Sequence, residues 1–105
     1  MLICQWHLDI VYGKQAEAVR IMRAWGADKF ASSEFRRASG ARLLAGYLGA
    51  SASHIVDEYT FASLADFESA LASMSAPQFR QHSEALAPYI VPGSQQWVVY
   101  RVLEE

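Results

Sequence analysis

Two apolar-rich segments carry the side chains best suited to proton chemistry. LICQWHLDIVY (2–12) contains His7, and HIVDEYTF (54–61) contains His54 and Glu58. An imidazole titrates near neutral pH, and a carboxylate beside it orients the ring and raises its pKa. Such a pair suits a general base that removes a proton from a phenol or an activated carbon. His7 is therefore the candidate base, Glu58 its orienting partner and His54 a candidate ligand contact. The competing reading is a hydrogen-bonded polar pair beneath a subunit interface. The third histidine, His82, lies between Phe79 and Leu86 and reads as packing on a helix face. The three are not spaced as HExxH or as two histidines on one helical turn, so no metal is expected; no organic cofactor is expected either, with haem binding the remaining alternative.

Aromatic residues are numerous for the length: Trp6, Trp25, Tyr47, Tyr59, Tyr89, Trp97 and Tyr100 are spread along the chain. Most must serve the core, because each buries a large area. Tyr47 and Trp97 are the candidate walls of a pocket for a flat, aromatic ligand. Arg80 and Arg101 are candidate partners of a ligand carboxylate, against the alternative of surface ion pairs. Cys4 is the single cysteine, so neither an intrachain disulfide nor a cysteine-based zinc site can form. Its place in an apolar strand reads as a small buried hydrophobe rather than a nucleophile.

Nine Lys+Arg against eleven Asp+Glu give a net charge of −2. Nucleic-acid binding rests on a concentrated positive excess, and the only basic cluster, Arg36-Arg37 with Arg42 nearby, follows Glu34 and reads as a solvated loop. No nucleic-acid partner is expected. The charge-free stretch Leu43 to Val56 is too short for a bilayer and is broken by Gly, Ser and His. The N-terminus runs directly into strand pattern without a signal-peptide profile, so a cytoplasmic location is the expectation. A length of 105 residues, 52% of them hydrophobic, predicts one domain over 1–105 with a real core.

The elements that must position these residues follow from periodicity. Residues 2–12 read as a strand closed by Gly13. From Lys14 the period becomes helical, with Ala18, Ile21, Met22 and Trp25 on one face and Glu17, Arg20 and Lys29 largely off it. Gly26 predicts a bend or close packing in that helix. Residues 32–40 read as a helix end and loop, 41–50 as a second strand with a bulge or close approach at Gly46 and Gly49, and 54–61 as a third. Ser63 and Asp66 form a capping-box pattern ahead of Leu64, Phe67, Leu71 and Met74. Pro77 opens a short helix that ends near Pro88, and 95–103 is the last strand.

The order β-α-β-β-α-α-β predicts a ferredoxin-like α+β unit, with an antiparallel sheet of order 4-1-3-2 and helices on one face. Strand 1 places Leu2, Cys4, Trp6, Leu8 and Ile10 toward the helices, leaving Ile3, Gln5, His7, Asp9 and Val11 on the other face. Strands 2 and 4 are substantially apolar on both faces. A sheet apolar on both sides needs a second cover, and a second copy of the chain is the economical one. In this order strands 1 and 3 are neighbours, so Glu58 comes within about 8 Å of His7 if it falls opposite or diagonal to it.

The strand-to-helix join EYTFASLADFESAL (58–71), the short helix APQFRQHSEALAPYI (76–90) and the closing strand QQWVVYRV (95–102) resemble the dimeric α+β-barrel superfamily. The similarity is to small proteins around the antibiotic-biosynthesis monooxygenase-like and NIPSNAP-like groups, and it covers nearly the whole chain. It implies a homodimer packed sheet to sheet, with a pocket between sheet and helices or in the barrel interior. It also implies a reaction, where there is one, on an aromatic or polyketide-like small molecule: a cofactor-independent oxygenase, a cyclase or an isomerase. Other members have no known reaction, so a non-catalytic ligand-binding or structural dimer is the alternative. The fold itself does not select among these.

Overall fold

β-Branched and aromatic residues dominate Leu2–Asp9 and His54–Phe61, and these segments become β1 and β3, the paired central strands of the sheet. Gly40–Ala45 forms β2 and Gln96–Arg101 forms β4, giving the antiparallel order β2-β3-β1-β4 in this computed structural model, which describes residues 1–104. This is the ferredoxin-like order read from the sequence. Helix α1 spans Gln15–Ser32, α2 spans Leu64–Ser73 and α3 spans Arg80–Leu86, with 3₁₀ turns at Glu34–Arg37, Pro77–Phe79 and Ala87–Tyr89. Among the described residues no helix is long and apolar enough to cross a membrane.

Pairing fixes which face each side chain takes. Leu2–Asp9 pairs residue by residue with Phe61–His54, so Cys4 meets Tyr59, Trp6 meets Asp57 and Leu8 meets Ile55. Those side chains are buried beneath the helices. Ile3, Gln5, His7 and Asp9 take the opposite, helix-free face, together with His54, Val56, Glu58 and Thr60. The core divides into one cluster around Leu8, Ile10, Ile55 and Leu86 and another around Phe35, Tyr59, Phe61 and Phe67. Each such side chain contributes about 1.5–3 kcal/mol when fully buried.

β3 has the bounds expected, while β1, β2 and β4 are shorter than the periodicity predicts. β3 begins at His54, whose carbonyl still accepts from the Gly46 amide at 3.0 Å, so the pairing ends there and Tyr47 and Leu48 belong to the loop. β1 stops at Asp9, leaving only an Ile10–Ile90 bridge. Gly46 is a true close approach, since a Cβ there would stand 1.9 Å from the Ser51 carbonyl oxygen. At Gly26 no close packing exists, because a Cβ there would meet nothing within 4 Å. Ser63 Oγ accepts from the Asp66 amide at 3.2 Å, forming the cap expected of α2.

Candidate active site

The helix-free face carries a continuous chain of polar contacts. Asp9 Oδ1 lies 2.8 Å from His54 Nδ1, and His54 Nε2 lies 2.8 Å from His7 Nδ1. His7 Nε2 lies 2.8 Å from Gln5 Oε1, while Gln5 Nε2 donates to Glu58 Oε2 at 2.8 Å. Arg42 Nε closes the series on Glu58 Oε1 at 2.7 Å. Because the Gln5 amide must donate to the Glu58 carboxylate, its oxygen accepts, and His7 Nε2 is the donor there. One proton lies between His7 Nδ1 and His54 Nε2, joining the two rings. The Asp9 carboxylate sits against His54 Nδ1.

Burial, then the neighbouring His54, hold the His7 pKa below its ordinary value. Burial pushes the Glu58 carboxyl up, but the hydrogen bonds from Arg42 and Gln5 and the charge of Arg42 outweigh it and leave the pKa lowered. The register does place Glu58 diagonal to His7, one of the two expected placements, but the expected raised His7 pKa is corrected to a lowered one. Gln5, directly opposite Glu58, stands between them, and Val56 is opposite His7. The histidines and Glu58 do converge, but both nitrogens of both rings are engaged with protein partners.

The other expected site residues lie elsewhere. Trp97 is directly opposite Trp6 on β1, on the helix-covered side, so the sheet separates it from His7. Tyr47 is 91% exposed in the β2–β3 loop. Arg101 is exposed at the end of β4, opposite Leu2. A single pocket with His7 at its floor and Tyr47 and Trp97 as walls does not form within one subunit. His82 packs as expected: its ring stacks 6.0 Å from Trp25, and Nε2 contacts Asp28 of α1.

A second constellation lies on the helix-covered side. Lys29 is only 3% exposed, and its Nζ donates to Asp57 Oδ2 at 3.2 Å and to the Tyr59 hydroxyl at 3.0 Å. The Tyr59 hydroxyl donates in turn to Asp57 Oδ2 at 2.7 Å. The ammonium lies 4.7 Å from the Trp25 ring centroid, 5.0 Å from Phe35, 5.2 Å from Tyr59 and 5.8 Å from Trp6. Burial lowers the Lys29 pKa, and the Asp57 charge and hydrogen bond offset this only in part. Burial, then Asp57, raise that of Tyr59.

Lys29 borders a cavity of about 180 Å³ walled by Trp6, Trp25, Phe35 and Trp97. An adjoining cleft of about 370 Å³ shares Trp6, Trp25 and Gln95 with it. Trp6 stands edge-on to Trp25 at 5.9 Å and near-parallel to Trp97 at 6.3 Å. The Trp25 Nε1 donor is buried without a hydrogen-bond partner. A larger groove of about 460 Å³ along the first half of α1 is lined by Val19, Arg20, Arg23 and Ile55, and no buried polar group converges on it. The ligand-site criteria of apolar walls with a few convergent polar groups favour the cleft at Lys29. Among the described residues no group of three or more His, Cys, Asp or Glu side chains is placed to hold a metal ion.

The signal for this cluster was in the sequence. Ala18, Met22 and Trp25 are spaced four and three apart, and the next step of four is Lys29. The stripe therefore continues onto the lysine rather than leaving it off the face. Asp57 falls on the inward set of β3 with Ile55 and Tyr59. Two opposite charges at inward positions of packed elements announce a buried pair.

No family model matches the chain, and no curated protein matches it either. Solved structures share its fold. A NIPSNAP family protein from Agrobacterium tumefaciens superposes with a TM-score of 0.76 at 17% identity, over 98% of this chain and 93% of that one. A candidate antibiotic biosynthesis monooxygenase from Nitrosomonas europaea gives 0.67 at 13%, over 98% and 99%. A variant of SnoaB, a cofactor-independent oxygenase from Streptomyces nogalater, gives 0.69 at 18%, over 99% and 95%. The chain thus has the ferredoxin-like α+β fold shared by NIPSNAP-domain and antibiotic-biosynthesis monooxygenase-like proteins, and identities this low establish the fold alone.

Proposed function

We propose that the protein binds a planar aromatic phenol or enol in the cleft at Lys29 and acts on it with its own side chains, as a cofactor-independent enzyme of the oxygenase, cyclase or isomerase kind. One observation carries this reading: a buried ammonium with three donors, two of them engaged by Asp57 and Tyr59, borders a cavity walled by aromatic rings. The third donor favours an anionic oxygen in a water-poor site, where a fixed charge acts strongly. Stabilising a phenolate or enolate is the opening step common to these reaction classes. The unpartnered Trp25 N–H offers a further donor for a ligand oxygen. The fold likeness to a cofactor-independent oxygenase supports the same direction.

We further propose that the chain works as a homodimer packed through the helix-free face, where Ile3, Leu44, Val56, Val98 and Tyr100 flank the polar chain. The engaged state of every polar side chain along Asp9–Arg42 supports a structural rather than catalytic role for that face. It equally favours the second reading, a non-catalytic ligand-binding dimer.

The test uses 2-naphthol and its methyl ether, which cannot ionise. Bound naphthol should show naphtholate absorbance at a pH where free naphthol shows none, and bind at least tenfold tighter than the ether. Equal binding of the two, or none, rejects the reading. Naphtholate formation without turnover of any phenol under oxygen favours the binding protein.

A further inference from the structure

The proposed function uses Lys29 as a fixed positive charge, but its surroundings also make it a nucleophile. We infer that Lys29 forms a reversible imine with a planar aryl aldehyde, aryl ketone or β-dicarbonyl bound in the aromatic cleft. The inference rests on that cleft being the ligand site.

Three features carry it. Lys29 lines the cavity, and its Nζ lies 4.7 Å from the Trp25 ring centroid and 5.8 Å from that of Trp6, two walls of the same cavity, so a carbonyl carbon held against these rings is within reach of the amine. Asp57 Oδ2 at 3.2 Å is a direct acceptor for the proton that the ammonium must lose before it can attack. Tyr59, bonded to both Nζ and Asp57 Oδ2, is placed to hand a proton to the carbonyl oxygen and recover one from the nitrogen of the adduct. Burial disfavours the ammonium, which lowers the cost of reaching the neutral amine.

The step balances without an oxidant. Lys29 passes one proton to Asp57, and its nitrogen lone pair adds to the carbonyl carbon. The carbonyl π electrons become an alkoxide that takes a proton. The carbinolamine oxygen leaves as water with two hydrogens that began on nitrogen, and the proton held by Asp57 returns to give the iminium. The iminium withdraws electrons from the adjacent C–H or C–C bond, which is the chemistry of aldol-type cyclisation and of β-keto acid decarboxylation.

The chain contains two lysines, Lys14 and Lys29, so the wild-type protein supplies its own control. It is incubated at neutral pH with 2-naphthaldehyde and cyanoborohydride, digested and mapped by mass spectrometry. The expected result is reductive labelling of Lys29 at least tenfold above the exposed Lys14 and above the N-terminal amine, reduced at least fivefold by prior addition of 2-naphthol. Labelling of Lys14 or the N-terminus equal to that of Lys29, or none at Lys29, overturns the inference. If naphthol ionises in the cleft while Lys29 stays unlabelled, the imine is rejected and the phenol reading stands. If Lys29 is labelled with no protection by naphthol, the imine is upheld and the phenol reading fails.

Discussion

Lys29 Nζ and Asp57 Oδ2 lie 3.2 Å apart with both side chains more than nine-tenths hidden from solvent, an opposite-charge pair set under a helix. Removing one partner strands the other charge. Lys29→Met is expected to destabilise the fold by about 3 kcal/mol, within the range for breaking a buried pair. The double variant Lys29→Met/Asp57→Leu should recover at least half of that loss. Urea midpoints with unchanged slopes measure both, and a double variant no more stable than the single one contradicts the assignment.

The relay on the helix-free face has a pH signature. His7 has its pKa held below the ordinary 6.5 by burial and by His54, with Gln5, Asp9 and Glu58 the other polar neighbours on β1 and β3. The unfolded chain therefore binds a proton at this site that the native chain resists. Its contribution to stability is complete above pH 6.5 and declines as pH falls from there toward the lower native value. The difference in unfolding free energy between wild type and His7→Gln should shrink from pH 7.5 to pH 5.5. Nitrogen-15 spectra of the imidazoles should show His7 as the Nε2–H tautomer.

Two glycines give opposite outcomes. At Gly26 a methyl group meets open space inside a helix, so Gly26→Ala should stabilise by about 0.5–1 kcal/mol. At Gly46 the same methyl group collides with the Ser51 backbone, so Gly46→Ala should destabilise by about 1–3 kcal/mol. Thermal midpoints that move in the same direction for both would contradict the local geometry.

The helix-free face gives an assembly prediction. Tyr100 is more than half exposed there and pairs across from Ile3, with Val98 across from Gln5. Val98→Glu should weaken the proposed homodimer at least a hundredfold, read as a shift to the monomer mass in light scattering, while far-ultraviolet circular dichroism is unchanged. A wild-type protein that scatters as a monomer at micromolar concentration rejects that assembly.

The architecture was legible because it rests on periodicity. Alternation along Leu2–Ile10 sorted the inward set correctly, and the Ser63 hydroxyl marked the start of α2. Strand ends were less legible, because pairing stops where the partner stops, and Tyr47 gives no local sign of that. The polar chain was half visible: His7, His54 and Glu58 were on one face, but register put Gln5 rather than His7 opposite Glu58. The cleft was missed because a lysine is ordinarily solvated, and its burial depends on Asp57, twenty-eight residues away in sequence.

Trp6 stands edge-on to Trp25 and near-parallel to Trp97, bringing all three tryptophans of the chain into one contiguous group. Electronic transitions on rings this close do not act independently. Light absorbed by one indole is delocalised over its neighbours, and the chiral arrangement turns that coupling into a split signal in the far-ultraviolet. The cleft therefore carries a built-in chromophore array, and any molecule that parts these rings will reshape the band without a dye or a label.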